Sequence, residues 1–255
     1  HLNPMIDLHA AGRPVFGLYA PSNPRPRPAG MGAAGGAPAV PASDAPPPAR
    51  KTPAELARDA VAYPAADFIF DGSMEHDFEA GYPGFARGVA ATGNRTPDGR
   101  LRPPLAVKTP EVAPDSALAK QRIARQLDLG VSTIVFVDVQ SAAELRTGLA
   151  AMRYPARGGT RPNTVGTAPA VWGLGEQAYR ERADLWPLNP RGELTAWAIV
   201  ESRAGLARVR DIAAVKGVAV LFPGAGTLRG VFTTVDSATK ARTFDAAGWE
   251  AAIQQ

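Results

Sequence analysis

Four polar side chains stand at the ends of apolar runs or directly after them, where they could take part in chemistry. A histidine beside acidic residues is a candidate general base near neutral pH. A desolvated lysine is a candidate nucleophile toward a carbonyl, and a glutamate leaving a buried strand is a candidate ligand for Mg²⁺ or Mn²⁺. A strand-end acid can equally cap a helix or pair with an arginine. These residues are His76, Lys108, Asp138 and Glu201.

A glycine-rich turn at 224–227 follows another apolar run at 218–222. Its free backbone N–H groups could hold a carboxylate or a phosphate. The chain has 3 His and 0 Cys, which excludes disulfides, a thiol nucleophile and a thiolate metal site. Any metal must therefore be bound by oxygen or imidazole ligands.

The elements that would position these residues are short apolar strands alternating with helical patterns. Nearly continuous apolar runs are typical of parallel strands buried on both faces. Thr52-Pro53-Ala54-Glu55 has the capping-box spacing, with proline at the first helical position. The predicted strands are 14–20, 67–71, 105–108, 133–138, 195–201 and 218–222, and the predicted helices are 53–62, 116–127, 142–152, 205–214 and 246–255.

This alternation over 255 residues predicts an α/β fold of the (β/α)8 TIM-barrel type in one domain, 1–255. A short strand near 159–165 would bring the count to seven, so the last βα unit is expected to be missing. Residues 24–50 interrupt the pattern, because 20 of these 27 residues are Pro, Ala or Gly. We predict a flexible proline-rich insertion there, as a solvated loop or alternatively as a lid.

Composition excludes several classes of protein. The mean hydropathy is −0.12 and no apolar stretch approaches the roughly 20 residues of a spanning helix, so we expect no membrane partner. The sequence pI is about 9.6, but the basic residues are scattered without a stacking motif, so we expect no nucleic-acid partner. The compartment, periplasmic or cytoplasmic, stays open.

The order of these segments resembles the HpcH/HpaI aldolase family of metal-dependent class II pyruvate aldolases. The resemblance covers most of the chain apart from the proline-rich insertion, and its most specific parts are the Glu-His pair and the Arg-Tyr-Pro segment. The matching segments are Phe16-Gly17-Leu18-Tyr19, Pro53-Ala54-Glu55-Leu56, Met74-Glu75-His76, Leu127-Asp128-Leu129-Gly130, Met152-Arg153-Tyr154-Pro155 with Gly159 and Arg161, Val200-Glu201-Ser202 and 217–228.

The resemblance implies a carbon–carbon lyase that cleaves 4-hydroxy-2-oxo acids through a pyruvate enolate. His76 matches the catalytic histidine and Asp128 the aspartate that pairs with it, while Glu201 matches one of two metal-binding carboxylates. A divalent cation, Mg²⁺ or Mn²⁺, a small oxo-acid substrate and a homo-oligomer are implied in the same way. The substrate-binding positions implied are Tyr19, Gly224, Ala225 and Gly226.

The sequence departs from the family pattern at three positions. Thr227 stands where the second metal carboxylate is expected, and a neutral hydroxyl is a weaker ligand. Lys108 replaces the arginine that steadies the developing oxyanion, which keeps the charge and loses the bidentate fork. Ser73 replaces an acid before Glu75, although Asp71 is close in sequence.

Two alternatives to a metal-dependent aldolase follow from these departures. Lys108 could act as a Schiff-base nucleophile in a lysine-dependent lyase. The barrel could instead have lost its metal site and bind an acidic small molecule without turnover. Retention of both His76 and Asp128 favours an enzyme over a binding protein.

Overall fold

The computed structural model describes residues 1–23, 49–72, 78–93, 95–113 and 115–254. Most of the predicted proline-rich insertion and the stretch 73–77, with Ser73 and His76, lie outside the described residues. None of the helices within the described ranges is long and apolar enough to cross a membrane.

A curled parallel sheet of six strands in sequential order forms the centre of the structure. Its register is continuous through the middle strands, with Ala106 opposite Thr133 and Thr133 opposite Thr195. All six strands predicted outside 159–165 are confirmed. They are β1 (Gly17–Tyr19), β2 (Phe68–Asp71), β3 (Leu105–Thr109), β4 (Thr133–Phe136), β5 (Thr195–Val200) and β6 (Val220–Pro223).

Helices connect the strands and flank them. The predicted helix 205–214 is divided into two short helices, and the other four predictions are confirmed within a few residues. The helices are α1 (Pro4–Ala10), α2 (Pro53–Ala62), α3 (Phe78–Ala91), α4 (Ser116–Asp128), α5 (Ala142–Met152), α6 (Ala168–Trp172), α7 (Glu176–Arg182), α8 (Arg203–Leu206), α9 (Val209–Ala213), α10 (Ala225–Val231) and α11 (Ala246–Ile253).

Helix α3 has no counterpart in the sequence prediction, because its composition argues against a helix. It contains Pro83 and glycines that lower intrinsic helix propensity. The glycines serve tertiary packing: a Cβ on Gly88 would lie 2.7 Å from the Cβ of Ala57 in α2, and one on Gly84 would lie 3.1 Å from Pro53. Close contact between α2 and α3 therefore outweighs the local preference.

The described residues form a six-stranded half-barrel and not a closed (β/α)8 barrel. The prediction of a seventh strand near 159–165 is wrong. That segment hydrogen-bonds to the end of α5 instead of to the sheet, with Thr160 N–H donating to the carbonyl of Ala150 at 2.7 Å. Left-handed glycines, Gly158 (φ 76°) and Gly166 (φ 50°), turn the chain on either side. After α10 the chain forms an antiparallel hairpin, β7 (Thr233–Val235) with β8 (Arg242–Phe244).

The two faces of the sheet have separate cores. The outer face packs against the helices, whereas the inner, concave face carries a smaller apolar cluster. Met5 of α1 belongs to this inner cluster, and the ring of His9 contacts Trp197 edge-on at 5.9 Å. Helix α1 thus covers the amino ends of the strands on the inner face, and polar residues occupy the carboxyl ends. The inner cluster comprises Met5, Phe68, Ala106, Val135, Val137, Trp197 and Ile199.

Candidate active site at the carboxyl ends of the strands

Two acidic residues meet where β4 and β5 end. The backbone N–H of Asp138 donates a hydrogen bond to Oε1 of Glu201 at 3.2 Å. Both residues are half-buried. Because parallel neighbours end at the same edge of a sheet, two acids that are far apart in sequence lie side by side here.

The carboxylate of Glu201 is also in contact with the residue that follows β6. A Cβ added to Gly224 would lie 2.5 Å from Oε2 of Glu201 and 2.6 Å from its Cβ. The backbone N–H of Gly224 donates to the carbonyl of Val200 at 2.9 Å. A glycine is therefore needed at this position for the Glu201 carboxylate to keep its place.

Asp138 has an unusual backbone and a carboxylate that is only partly paired. Its φ is 40°, a left-handed conformation that Asp and Asn tolerate better than most residues. Oδ2 accepts a hydrogen bond from the side-chain amide of Gln140 at 2.8 Å. Oδ1 is buried and has no hydrogen-bond partner within the described part of the chain.

Lys108 and Tyr19 lie on the same concave face. Lys108 is two residues from Ala106 of the inner cluster on β3, so strand alternation directs its side chain to the inner face. Tyr19 ends β1, is 64% exposed and contacts Phe70 edge-on at 5.3 Å. Its hydroxyl lies against Gly72, the residue after β2.

The predicted glycine-rich turn is the start of a helix. Gly224 is the residue preceding α10, and Ala225, Gly226 and Thr227 form its first turn. The Thr227 side chain is exposed to solvent. Substrate binding by Gly224, Ala225, Gly226 and Tyr19 stays a prediction, as does metal binding by Thr227.

Asp71, the acid close in sequence to Ser73, does not face the inner side of the sheet. It has the same strand parity as Ile69 of the outer core, so it faces the helices. There burial, together with the charge of Asp71, raises the pKa of Tyr82 in α3 well above its ordinary value. His76, the predicted base, lies outside the described residues.

Asp128 lies at the opposite end of the strands from Glu201. It is the last residue of α4, shortly before β4 begins. Strand β4, which lies between Asp128 and Asp138, spans about 10 Å at about 3.3 Å per residue. Oδ1 of Asp128 accepts a hydrogen bond from Nη2 of Arg161 at 3.1 Å. The predicted pairing of Asp128 with His76 stays a prediction.

Arg161 is fully buried at this amino end. Its guanidinium lies over the ring of Tyr154, 4.5 Å from the centroid, and Nη2 donates to the hydroxyl of Tyr179 at 3.0 Å. Burial is the main reason that the pKa of Tyr179 is raised to about 12, although Arg161 favours the phenolate. Tyr179 is therefore neutral at physiological pH and serves as a hydrogen-bonding partner.

The sequence belongs to the HpcH/HpaI aldolase/citrate lyase family, whose model matches residues 105–248, more than half of the chain. The matched part contains Lys108, Asp138, Glu201 and the start of α10. No curated protein matches the sequence significantly. The resemblance first suggested by the sequence motifs is thereby confirmed.

Solved structures support the same fold at low sequence identity. A HpcH/HpaI aldolase/citrate lyase family protein from Burkholderia cenocepacia J2315 superposes with a TM-score of 0.63 and 18% identity, over 99% of this chain and 78% of that one. An HpcH/HpaI aldolase from Desulfitobacterium hafniense DCB-2 gives 0.54 and 16%, over 88% and 67%. Macrophomate synthase gives 0.54 and 19%, over 80% and 63%.

The residues at the carboxyl ends fit the divalent cation that the family implies. The Glu201 carboxylate is held at a strand end by Asp138 N–H and lies against Gly224. An oxygen of Asp138 is buried there without a hydrogen-bond partner among the described residues. No three His, Asp or Glu side chains converge as a ready metal cluster in the described ranges, so water and substrate oxygens would complete the coordination, as is usual for Mg²⁺.

Proposed function

We propose that this protein is a carbon–carbon lyase of the 4-hydroxy-2-oxo acid aldolase type, which cleaves its substrate through a pyruvate enolate. The observation that carries the proposal is the position of Glu201, between the ends of three neighbouring strands and on the same face as Lys108. Family membership supports it. The aldehyde half of the substrate is left open.

A divalent cation bound by Glu201 would act as a Lewis acid on the 2-oxo group and the enolate charge. The ammonium group of Lys108, on the adjoining inner face, would stabilise negative charge that develops on the substrate oxygen. The backbone N–H groups of Ala225 and Gly226, at the beginning of α10, would orient the substrate carboxylate.

The proton of the substrate 4-hydroxyl needs a base, and we propose His76 for this role on the family resemblance. An imidazole is suited to it because its ordinary pKa lies near neutrality. The role of Asp128 in orienting that imidazole is not required by this proposal, since Asp128 contacts Arg161 at the far end of β4.

Exchange of deuterium into the methyl group of pyruvate tests the proposal directly, because enolate formation precedes any choice of aldehyde. Pyruvate in D₂O is followed by NMR with added Mn²⁺ or Mg²⁺ and, separately, with a chelator. We expect metal-dependent exchange that Glu201→Gln abolishes. Glu250→Gln, on the exposed face of α11, is the matched control and should exchange at the rate of the unchanged protein.

Two results would contradict this proposal in different ways. Exchange that survives chelation, with a borohydride-trapped pyruvate adduct on Lys108, would indicate a lysine-dependent lyase. No exchange in either sample, together with tight binding of an oxo acid, would indicate a binding protein without turnover.

A further inference from the structure

We propose that Asp138 supplies the second carboxylate of the divalent-cation site, together with Glu201, in place of the carboxylate that Thr227 replaces. This inference deepens the proposed function by naming the second protein ligand of the same site. It concerns binding of the cation, so it can be tested without turnover.

The first argument is the contact between the two acids. Asp138 donates its backbone N–H to Oε1 of Glu201, which fixes the two residues at neighbouring strand ends. Oε2 of Glu201 lies against Gly224 on the other side. Both residues carry a carboxylate at these strand ends, and a divalent cation would offset their combined negative charge.

The second argument is the unpaired oxygen of Asp138. Gln140 holds Oδ2 through a 2.8 Å hydrogen bond, whereas Oδ1 is buried and unpaired among the described residues. A buried carboxylate oxygen without a hydrogen-bond partner is destabilising, because its lost hydration is not replaced. Coordination of a cation by Oδ1 would offset this cost and leave the Gln140 contact intact.

The third argument is the chemistry of the donors. Thr227 offers a neutral hydroxyl from the exposed side of α10. Asp138 offers a full negative charge, and carboxylate count is a main determinant of affinity for Mg²⁺ and Mn²⁺. Two carboxylates plus water and substrate oxygens form an ordinary coordination set for these ions.

The test is Mn²⁺ affinity of the full chain, measured by loss of the free Mn²⁺ signal in electron paramagnetic resonance. We expect Asp138→Asn to weaken Mn²⁺ binding by about tenfold or more, and Thr227→Ala to leave it within about twofold. Asp211→Asn, an exposed acid on α9, controls for the loss of one negative charge. Asparagine suits the positive φ of position 138, and Asp138→Gly is a second variant compatible with that backbone.

Melting curves add a second readout. With a chelator present, the Asp138→Asn variant should melt at or above the temperature of the unchanged protein, because a buried negative charge has been removed. Added Mn²⁺ should raise the melting temperature of the unchanged protein and raise that of the variant less.

Unchanged Mn²⁺ affinity in both Asp138 variants would overturn the inference, as would a loss of affinity in Thr227→Ala alone. Absence of Mn²⁺ binding by the unchanged protein would overturn it as well. Mn²⁺ binding that depends on Asp138, without pyruvate exchange, would leave the inference standing and contradict the proposed function. Metal-dependent exchange with unaltered affinity in Asp138→Asn would do the reverse.

Discussion

Charged residues have different partners at the two ends of the parallel strands. At the amino ends, Asp128 contacts Arg161, and Asp184 accepts hydrogen bonds from Arg153 at 2.7 and 3.3 Å. At the carboxyl ends, Asp138 and Glu201 contact each other, and no Lys or Arg forms an ion pair with either among the pairs seen in the described residues.

The charged pairs at the amino ends contribute to the stability of the fold. A buried charge that is neutralised inside the chain contributes to one folded structure, and removing its partner is costly. Asp138 and Glu201 at the carboxyl ends both carry negative charge, which a bound cation would compensate. The charged pairs at the amino ends are therefore compensated within the chain, and the carboxyl ends are where we propose the cation site.

The largest effect is expected from Arg161→Met at the amino end. It leaves Asp128 without its partner and removes the cation that stacks on Tyr154, so the free energy of unfolding should fall by about 3–5 kcal/mol. Urea denaturation measures this. Lys51→Met, an exposed residue whose ammonium pairs with the exposed Asp59, should lose less than about 1 kcal/mol. Equal losses in the two variants would remove the distinction between buried and exposed pairs.

Acid should lower the free energy of unfolding by protonating Asp184 at the amino ends of the strands. Burial alone would raise the pKa of Asp184, but hydrogen bonds from Arg153 and Asn189 outweigh it and lower the pKa. The stabilisation is therefore complete above the ordinary pKa of about 4 and is lost as the pH falls through the lowered value.

Asp184→Asn should cost about 1–3 kcal/mol at neutral pH, with a smaller further loss in acid than in the unchanged protein. The free energy of unfolding of both proteins is measured at about pH 7, 4 and 3, which bracket ordinary carboxyl pKa values. Its slope against pH is then compared between the variant and the unchanged protein. Identical slopes would assign the acid sensitivity to other carboxylates.

Gly224→Ala tests the carboxyl end. The added Cβ would meet the Glu201 carboxylate and displace it, so Mn²⁺ affinity should fall by about tenfold, as for other changes that misplace a ligand. Gly230→Ala, in the same helix with nothing within 4 Å of its Cβ, is the matched control. A Gly224→Ala protein with normal affinity would show that Glu201 does not need this position to bind the ion.

The smallest effect is expected at the start of α2, which also lies at the carboxyl ends. Thr52 and Glu55 form a complete capping box there, so Thr52→Ala should cost about 1 kcal/mol and leave Mn²⁺ affinity unchanged. Thr52→Ser keeps the hydroxyl and should restore the stability. Calorimetric melting and Mn²⁺ titration of both variants measure this, and a change in affinity with Thr52→Ala would link the α2 cap to the site.

The strands and most of the longer helices could be predicted from the sequence, because the residues that define them are close together along the chain. The capping box at Thr52 and the proline after it predict the start of α2, and α5 has the predicted bounds, 142–152. The strand predicted at 159–165 does not form, because this segment folds back on the end of α5 through backbone hydrogen bonds such as that from Thr160 N–H to the carbonyl of Ala150. Helix α3 was missed because its glycines are explained by contacts with α2.

Part of the candidate site could also be predicted from local sequence, because its residues follow apolar strands directly. Glu201 and Lys108 were identified as strand-end residues, and the structure brings both to the concave face. The family resemblance assigns no role to the strand-end acid Asp138, although two acids that follow adjacent parallel strands are a sequence signal that pairs it with Glu201. The pairing of Asp128 with His76 stays a prediction, since Asp128 ends α4 at the other edge of the sheet and His76 lies outside the described residues.

The sequence by itself determined the order of the six sheet strands, the helices α2, α4, α5 and α11, and the family, because apolar runs, caps and motif spacing are properties of neighbouring residues. Only the tertiary structure decided which polar residues meet. Asp138, Glu201 and Gly224 are separated along the chain and come together because β4, β5 and β6 are adjacent and parallel. Strand adjacency depends on long-range pairing and on packing against the helices, and these are properties of the whole chain.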